Sequence, residues 1–344
     1  MRYAKRAFIG SFTSAGGRGV VAAGVDPETG ALTVTGATDE LPDPSFLAPT
    51  PGGAVLYAVS EAPEGAVAAF DVTGATPRLL GAPAPVRGAG PTHLALAAGY
   101  VVTANYSDGS VSALPLGADG VPDAAGGVVH RHRGTGPHPE RQQGPHAHQV
   151  VRAPDGRRLL AVDLGTDSVH VYAFADGALL RRGETALAPG TGPRHLAFHP
   201  AGSHVYVLGE LEPTLTACRW DAETGALEPV AATPVLPAGA HAPSHPSGIA
   251  VARDGRFLWA AVRGDDSIAV LALDETRERP ELVTTVPCGG HWPRDLALDP
   301  QGRRLYVANE RSGDVTWFDL DPVTGVPRRA GAVEAPAASC VVFG

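Results

Sequence analysis

Short apolar runs alternate with turn residues along nearly the whole chain, and the runs return in a fixed order. Pro193-Arg-His-Leu-Ala-Phe-His-Pro-Ala-Gly202 aligns with Pro293-Arg-Asp-Leu-Ala-Leu-Asp-Pro-Gln-Gly302 and with Pro246-Ser-Gly-Ile-Ala-Val-Ala-Arg-Asp-Gly255, each a brief strand running into a turn. Second strands follow as Val205-Tyr-Val-Leu-Gly-Glu210, Leu305-Tyr-Val-Ala-Asn-Glu310 and Leu258-Trp-Ala-Ala-Val-Arg263. Third strands such as Ser168-Val-His-Val-Tyr-Ala-Phe174 and Asp314-Val-Thr-Trp-Phe318 are rich in β-branched and aromatic residues. A fourth comes after a hairpin signal: Asp-x-x-Thr-Gly at Asp26, Asp221 and Asp321 puts Gly30, Gly225 and Gly325 where the turn demands a positive φ.

The order begins again at residues 44, 91, 145, 193, 246, 293 and 336, spacings of 43 to 54 residues. Four strands per unit at ~40–50 residues is the signature of a β-propeller. The first unit opens on a second-type strand, Ala7-Phe-Ile-Gly-Ser11, and the chain ends on a first-type strand, Pro336-Ala-Ala-Ser-Cys-Val-Val-Phe343. Joining the two completes a blade and removes two open edges. The fold expected is therefore all-β, a seven-bladed propeller spanning 1–344 as one domain, with its closing blade shared between the terminal strands. A linear β-solenoid is the alternative, and it has no use for a split unit.

Composition supports a globular chain with many turns: 44% hydrophobic, 18% charged, 43 Gly, 32 Pro and one Met. A net charge of −9 argues against nucleic acid or an anionic membrane as partner, so an anion site has to be a local basic pocket. Cys218, Cys288 and Cys340 lack metal-type spacing and read as buried thiols. After Lys5 and Arg6 only Ala7-Phe-Ile9 precedes Gly10, too short for a signal region. The expectation is a cytoplasmic protein, monomeric or weakly homo-oligomeric.

In a propeller blade the first strand lines the channel and pairs antiparallel with the second, so the start of one lies beside the end of the other at one mouth. That rule selects Thr92 and His93 beside Asn105, His146 and His148 beside Asp163, Arg194 beside Glu210, Ser247 beside Arg263, and Arg294 beside Asn309 and Glu310. His146 and His148, two apart on one strand, leave from the same face. Arg194, Arg263 and Arg294 converge from three blades and suit a carboxylate or phosphate, or else inter-blade salt bridges. Glu210 faces them and stays ionised, a candidate base for activating water. His148, with an ordinary pKa near 6.5, is the competing base. His130, His132, His138, His146 and His148 crowd one region, yet no cysteine or carboxylate cluster completes a metal set, so no metal is expected. The loop from His130 to Gly144 is either a lid or a plain solvated connection.

Gln143-Gly-Pro-His-Ala-His-Gln-Val150, Pro154-Asp-Gly-Arg157 and Asp163-Leu-Gly-Thr-Asp167 together resemble the signature blade of the β-propeller 6-phosphogluconolactonase family, which includes the fungal carboxy-cis,cis-muconate cyclases. Ile9-Gly-Ser-Phe-Thr13, Ala104-Asn-Tyr-Ser107, Gly192-Pro-Arg-His-Leu196, Val262-Arg-Gly264 and Trp292-Pro-Arg-Asp295 are similar to it in order and spacing. The resemblance implies that His148, Arg194, Glu210 and Arg263 are the acting residues at the mouth. Asn105, Asp163, His146, Arg294, Asn309 and Glu310 are then expected to bind substrate. Gly209 and Val262 stand where the family pattern has asparagines. The function implied is hydrolysis of a sugar-acid lactone, with a small anionic lactone or carboxylate as partner and no cofactor. Cycloisomerisation of the muconate type and a non-enzymatic interaction platform are the alternatives.

Overall fold

The computed structural model describes residues 6–175, 178–240 and 243–344; Lys5 lies outside them. Seven antiparallel sheets follow one another along the chain, six of four strands and one of five. The innermost strands include Pro91–Ala97, Ala147–Arg152, Pro193–Phe198, His245–Val251, Pro293–Leu298 and Ala338–Phe343. Each touches the innermost strand of the blade on either side, and the ring closes. Ala338–Phe343 pairs with Arg6–Ser11 in the register Phe8↔Val342 and Ile9↔Val341, so the chain ends share the closing blade as the split repeat requires. The blade starting near residue 44 is the irregular one. Its outer strand is broken into Arg78–Leu79 and Ala84–Pro85, both paired with Ala66–Asp71.

The hairpin signals act as read. Asp221 Oδ1 accepts the N–H groups of Glu223 and Thr224, and Gly225 adopts φ 81°; Asp321 and Gly325 repeat the arrangement. These turns also dock on the preceding blade. Tyr306 Oη donates to Gly30 O at 2.7 Å and Trp259 Nε1 to Gly325 O at 2.8 Å, each from the third position of a second strand. Tyr57 and Tyr206 make the same link to Gly120 O and Arg277 O.

The core is not one mass but a set of apolar layers between neighbouring blades. Tyr206, Leu208 and Leu215 of one blade pack on Leu258, Ala260 and Val262 of the next, and Tyr306 and Val315 pack on Ile9 and Val21 across the closure. Burying one such side chain contributes ~1.5–3 kcal/mol. Cys218, Cys288 and Cys340 are free and buried in this packing. Among the described residues no helix is long and apolar enough to cross a membrane.

Candidate active site

One backbone device builds the site. In six blades the ladder between first and second strands slips by a residue at the same place, and in five of them the extra residue on the first strand lines one small cavity. The bulges fall at Thr92, His148, Arg194, Arg294 and Ser339, and at Ser247-Gly248. A bulge leaves its residue unpaired and re-aims the side chain, which is why such features collect near functional sites. The same device revises the expected alternation of His146 and His148. His146 precedes the strand, stacks on Tyr106 at 4.5 Å and shares Nδ1 with Tyr106 O, whereas His148 turns inward with its ring 5.5 Å from Tyr106. The two meet through Tyr106 rather than by sharing a strand face.

Glu210 is the centre of the site. It ends the strand His204–Gly209, is 4% exposed, and receives three guanidinium groups: Arg263 Nη2 at 2.8 Å and Arg194 Nε at 3.1 Å on Oε2, and Arg141 Nη2 at 2.7 Å on Oε1. Burial alone raises its carboxyl, but Arg263, Arg194 and Arg141 outweigh burial and hold it far below the usual carboxylate range. It is therefore ionised and weakly basic. Burial and the neighbouring Arg263 push Arg194 down to about 9, which still leaves it charged at neutral pH. Three cations against one anion leave an unmatched positive charge beside the mouth.

Arg294 has the opposite surroundings. Its Nη1 donates to Glu310 Oε2 at 3.0 Å, Nη2 lies 3.5 Å from Glu61 Oε1, and its guanidinium carbon sits 4.7 Å above the Phe12 ring. Burial pulls this arginine down, but Glu61, Glu310 and the more distant Glu210 outweigh it and keep Arg294 protonated, paired with two carboxylates at the mouth.

His148 is 6% exposed, and its Nδ1 has no hydrogen-bond partner among the described residues. Burial, then Arg194, Arg294 and Arg263, keep it well below its ordinary pKa, so the imidazole is neutral. His195 packs on it edge to face with the rings 5.3 Å apart, His93 packs edge to face on His195 in turn, and burial and Arg194 keep both neutral. An ordinary, untuned histidine is thus not what the fold provides.

Asn105, Asp163 and Asn309 do not line the mouth as substrate-binding residues. All three are fully buried, and their side chains hold the turn that follows the second strand. Asn105 Nδ2 donates to Ser110 and Ser112, Asn309 Nδ2 to Asp314 and Thr316, and Asp163 Oδ1 accepts the N–H groups of His146, Gly165 and Thr166. Each lies at the end of its second strand beside the start of the first, as the repeat predicts, but its side chain points into the blade. Val262, at the equivalent place, is core, and Gly209 leaves no room for a side chain, since a Cβ there would meet Glu212 O at 2.6 Å and Thr191 O at 2.7 Å.

Among the described residues, His132, Asp163 and His170 form a cluster with metal-ligand spacing. Its nitrogens are already committed: His132 Nδ1 lies 2.6 Å from Asp163 Oδ2 and Nε2 lies 2.7 Å from Tyr172 Oη, with the His170 ring stacked at 3.6 Å. The cluster ties two blades together.

Arg141 is the member of the Glu210 cluster that the repeat could not reveal. It belongs to the insertion after residue 131, which makes the spacing from 91 to 145 the longest in the chain. That spacing was the available signal. The insertion is neither a loose lid nor a solvated loop throughout: Gln142 is buried, its Nε2 donates to Leu164 O at 2.8 Å and its Oε1 accepts His138 N–H at 2.9 Å. This anchor delivers Arg141 to Glu210 and to Tyr106 Oη, 3.0 Å away. Trp292, just before the strand Pro293–Leu298, also lies outside the repeat's rule. It is held at φ 65° by its N–H to Asp266 Oδ1, and the guanidinium carbons of Arg263 and Arg311 lie 5.6 and 3.4 Å from its ring centroid.

Residues 6–343 match the family described as "Lactonase, 7-bladed beta-propeller". A 6-phosphogluconolactonase of Bacillus subtilis is 33% identical over 98% of this chain and 97% of its own length. The solved structure of a Lactobacillus plantarum protein superposes with a TM-score of 0.92 at 30% identity, covering 99% of each chain. A periplasmic gluconolactonase of Pseudomonas aeruginosa does so with a TM-score of 0.90 at 28% identity over 98% of each. By sequence and by architecture, then, the chain belongs to the seven-bladed β-propeller lactonases.

Proposed function

We propose that this protein hydrolyses a sugar-acid lactone carrying an anionic group, with 6-phosphogluconolactone the first substrate to test. The observation that carries the reading is the set of three guanidinium groups on the single buried carboxylate of Glu210, beside a neutral His148. The unmatched positive charge there suits an anion, and the planar forks of Arg263 and Arg141 suit a carboxylate, a phosphate or the oxyanion formed when water adds to a lactone carbonyl.

Of the two candidate bases, this reading takes His148. Glu210 is engaged by three cations and has little basicity left, so its part is to hold Arg194, Arg263 and Arg141 in place. His148 is unprotonated, and the arginines depress its basicity. An anionic substrate on those arginines offsets their effect and raises the imidazole's basicity when it is needed. His148 takes a proton from the attacking water, the carbonyl oxygen develops charge against the guanidinium groups, and the ring oxygen leaves with a proton returned by the imidazole.

The test is a lactone panel measured against spontaneous hydrolysis, with product masses recorded. Hydrolysis adds one water, whereas cycloisomerisation leaves the mass unchanged. His148→Ala is expected to lower kcat/KM by ~10²–10⁴-fold with the fold intact. A wild-type rate no faster than background on every lactone would falsify the proposal.

A further inference from the structure

Arg194 of the Glu210 cluster also lines a cavity of about 10 Å³, room for water-sized groups and nothing larger, walled by Ser45, Glu61, His148, Asp295 and Ser339 among others. Five atoms on that wall have no hydrogen-bond partner among the described residues: Ser45 Oγ, Glu61 Oε2, His148 Nδ1, Ser339 Oγ and Arg194 Nε, the last in ion-pair contact with Glu210. Ser45, His148 and Ser339 are 4%, 6% and 3% exposed. Burying a polar atom without a partner is costly, and several such atoms around one small polar space are the setting in which proteins hold fixed water.

Asp295 lies on the same wall, next to the bulge at Arg294. The backbone N–H groups of Leu296 and Val341 reach its carboxyl. Arg194 and His195 face it from the strand Pro193–Phe198, His148 from Ala147–Arg152, Glu61 from the end of Val55–Ser60 and Arg294 from its own strand, and Cys340 of the closing strand feels its charge. Burial outweighs the pull of Arg194 and of the two N–H groups and pushes the carboxyl up to about 7. Asp295 thus gains and loses its proton in the neutral range, where His148 does not.

We propose that Asp295 is the second station of a proton relay, joined to His148 by water held in the channel. The inference rests on the lactone-hydrolysis reading and deepens it. As His148 takes a proton from the attacking water on one ring nitrogen, it releases the proton on the other to channel water, which passes one to the Asp295 carboxylate. The reverse sequence returns a proton through His148 to the departing ring oxygen, so the enzyme ends as it began. Asp295 touches no reacting atom; it is a positioning residue acting through His148.

The experiment follows kcat and KM across the neutral pH range in wild type, Asp295→Asn and Ser339→Ala, with the protonated-carboxyl stretch of each protein recorded by infrared titration. Wild-type kcat is expected to climb as Asp295 ionises. Asp295→Asn flattens that limb and lowers kcat about tenfold or more, with KM held within about twofold. Ser339→Ala, which removes one water contact, gives a smaller loss of about threefold. The infrared band titrating near neutrality in wild type disappears in Asp295→Asn. A variant that keeps the wild-type kcat and its ascending limb overturns the relay. So does the absence of a titrating carboxyl band in wild type, whatever the substrate. A band present in a protein that opens no lactone overturns the activity reading instead, and the relay's role with it.

Discussion

Two ion clusters share one mouth with inverted stoichiometry. On one side Glu210 is surrounded by Arg141, Arg194 and Arg263; on the other Arg294 is held between Glu61 and Glu310. The first is nearly sealed from solvent apart from Arg141, which is 36% exposed, while the second is about one-fifth exposed throughout. Only the first has positive charge left for a ligand. An arginine at the mouth is therefore not a binding residue because of its position; the count of carboxylates around it decides, because a satisfied guanidinium has no charge or donor to offer.

The comparison breaks most visibly at Glu210. Replacing it by Gln leaves three guanidinium groups facing one another in a buried site, and the expected loss is ~3–5 kcal/mol of unfolding free energy in denaturant titration. Glu310→Gln, which leaves Arg294 with Glu61, should cost below ~1 kcal/mol. Equal losses in the two variants would remove the distinction between the clusters.

Acid should weaken the Glu210 side next. His93, His148 and His195 beside Arg194, and His170 at the blade contact, are all held below their unfolded value. Below pH ~6.5 the unfolded chain binds protons that the folded one refuses, so stability falls as pH falls, by about 1 kcal/mol per histidine per pH unit. Asp295 works in the other direction. Its raised value makes the fold less stable as pH rises from its unfolded value of 3.8 towards about 7, a partial offset in the same window. Unfolding midpoints measured through mildly acidic pH should show a net fall, and a flat profile would mean that these histidines are protonated in the fold.

Arg141→Lys replaces the planar guanidinium, whose Nη2 meets both Glu210 and Tyr106 and whose other nitrogens are left for a ligand, by a single ammonium and should raise KM for an anionic lactone about tenfold, whereas Arg294→Lys should change KM less than about twofold. A larger effect at Arg294 would transfer the anion site to the wrong cluster. The smallest effect on turnover is expected for Asn309→Ala. It lowers stability by ~1–3 kcal/mol through the freed turn and leaves KM unchanged. A raised KM would restore Asn309 as a substrate contact.

How far the site was legible depended on whether a residue sits on the repeat. Arg194, Glu210 and Arg263 fall at fixed points of a recurring strand pair, so antiparallel pairing alone brought them to one mouth. Asn105, Asp163 and Asn309 fall at equally fixed points, yet a strand end does not say on which side its side chain leaves. Arg141 sits on an insertion with no counterpart in other blades, and only the buried anchor Gln142 explains how it reaches Glu210.

The sequence by itself determined the blade count, the closure of Ala338–Phe343 onto Arg6–Ser11, and the turns at Asp221 and Asp321, because period, alternation and turn chemistry are local or recur at fixed spacing. The tertiary structure alone decided which arginines are free to act, why His148 is neutral, and that Asp295 shares a wall with it. Those outcomes depend on burial and on charges contributed by blades far apart in the chain, quantities that exist only once the ring has closed.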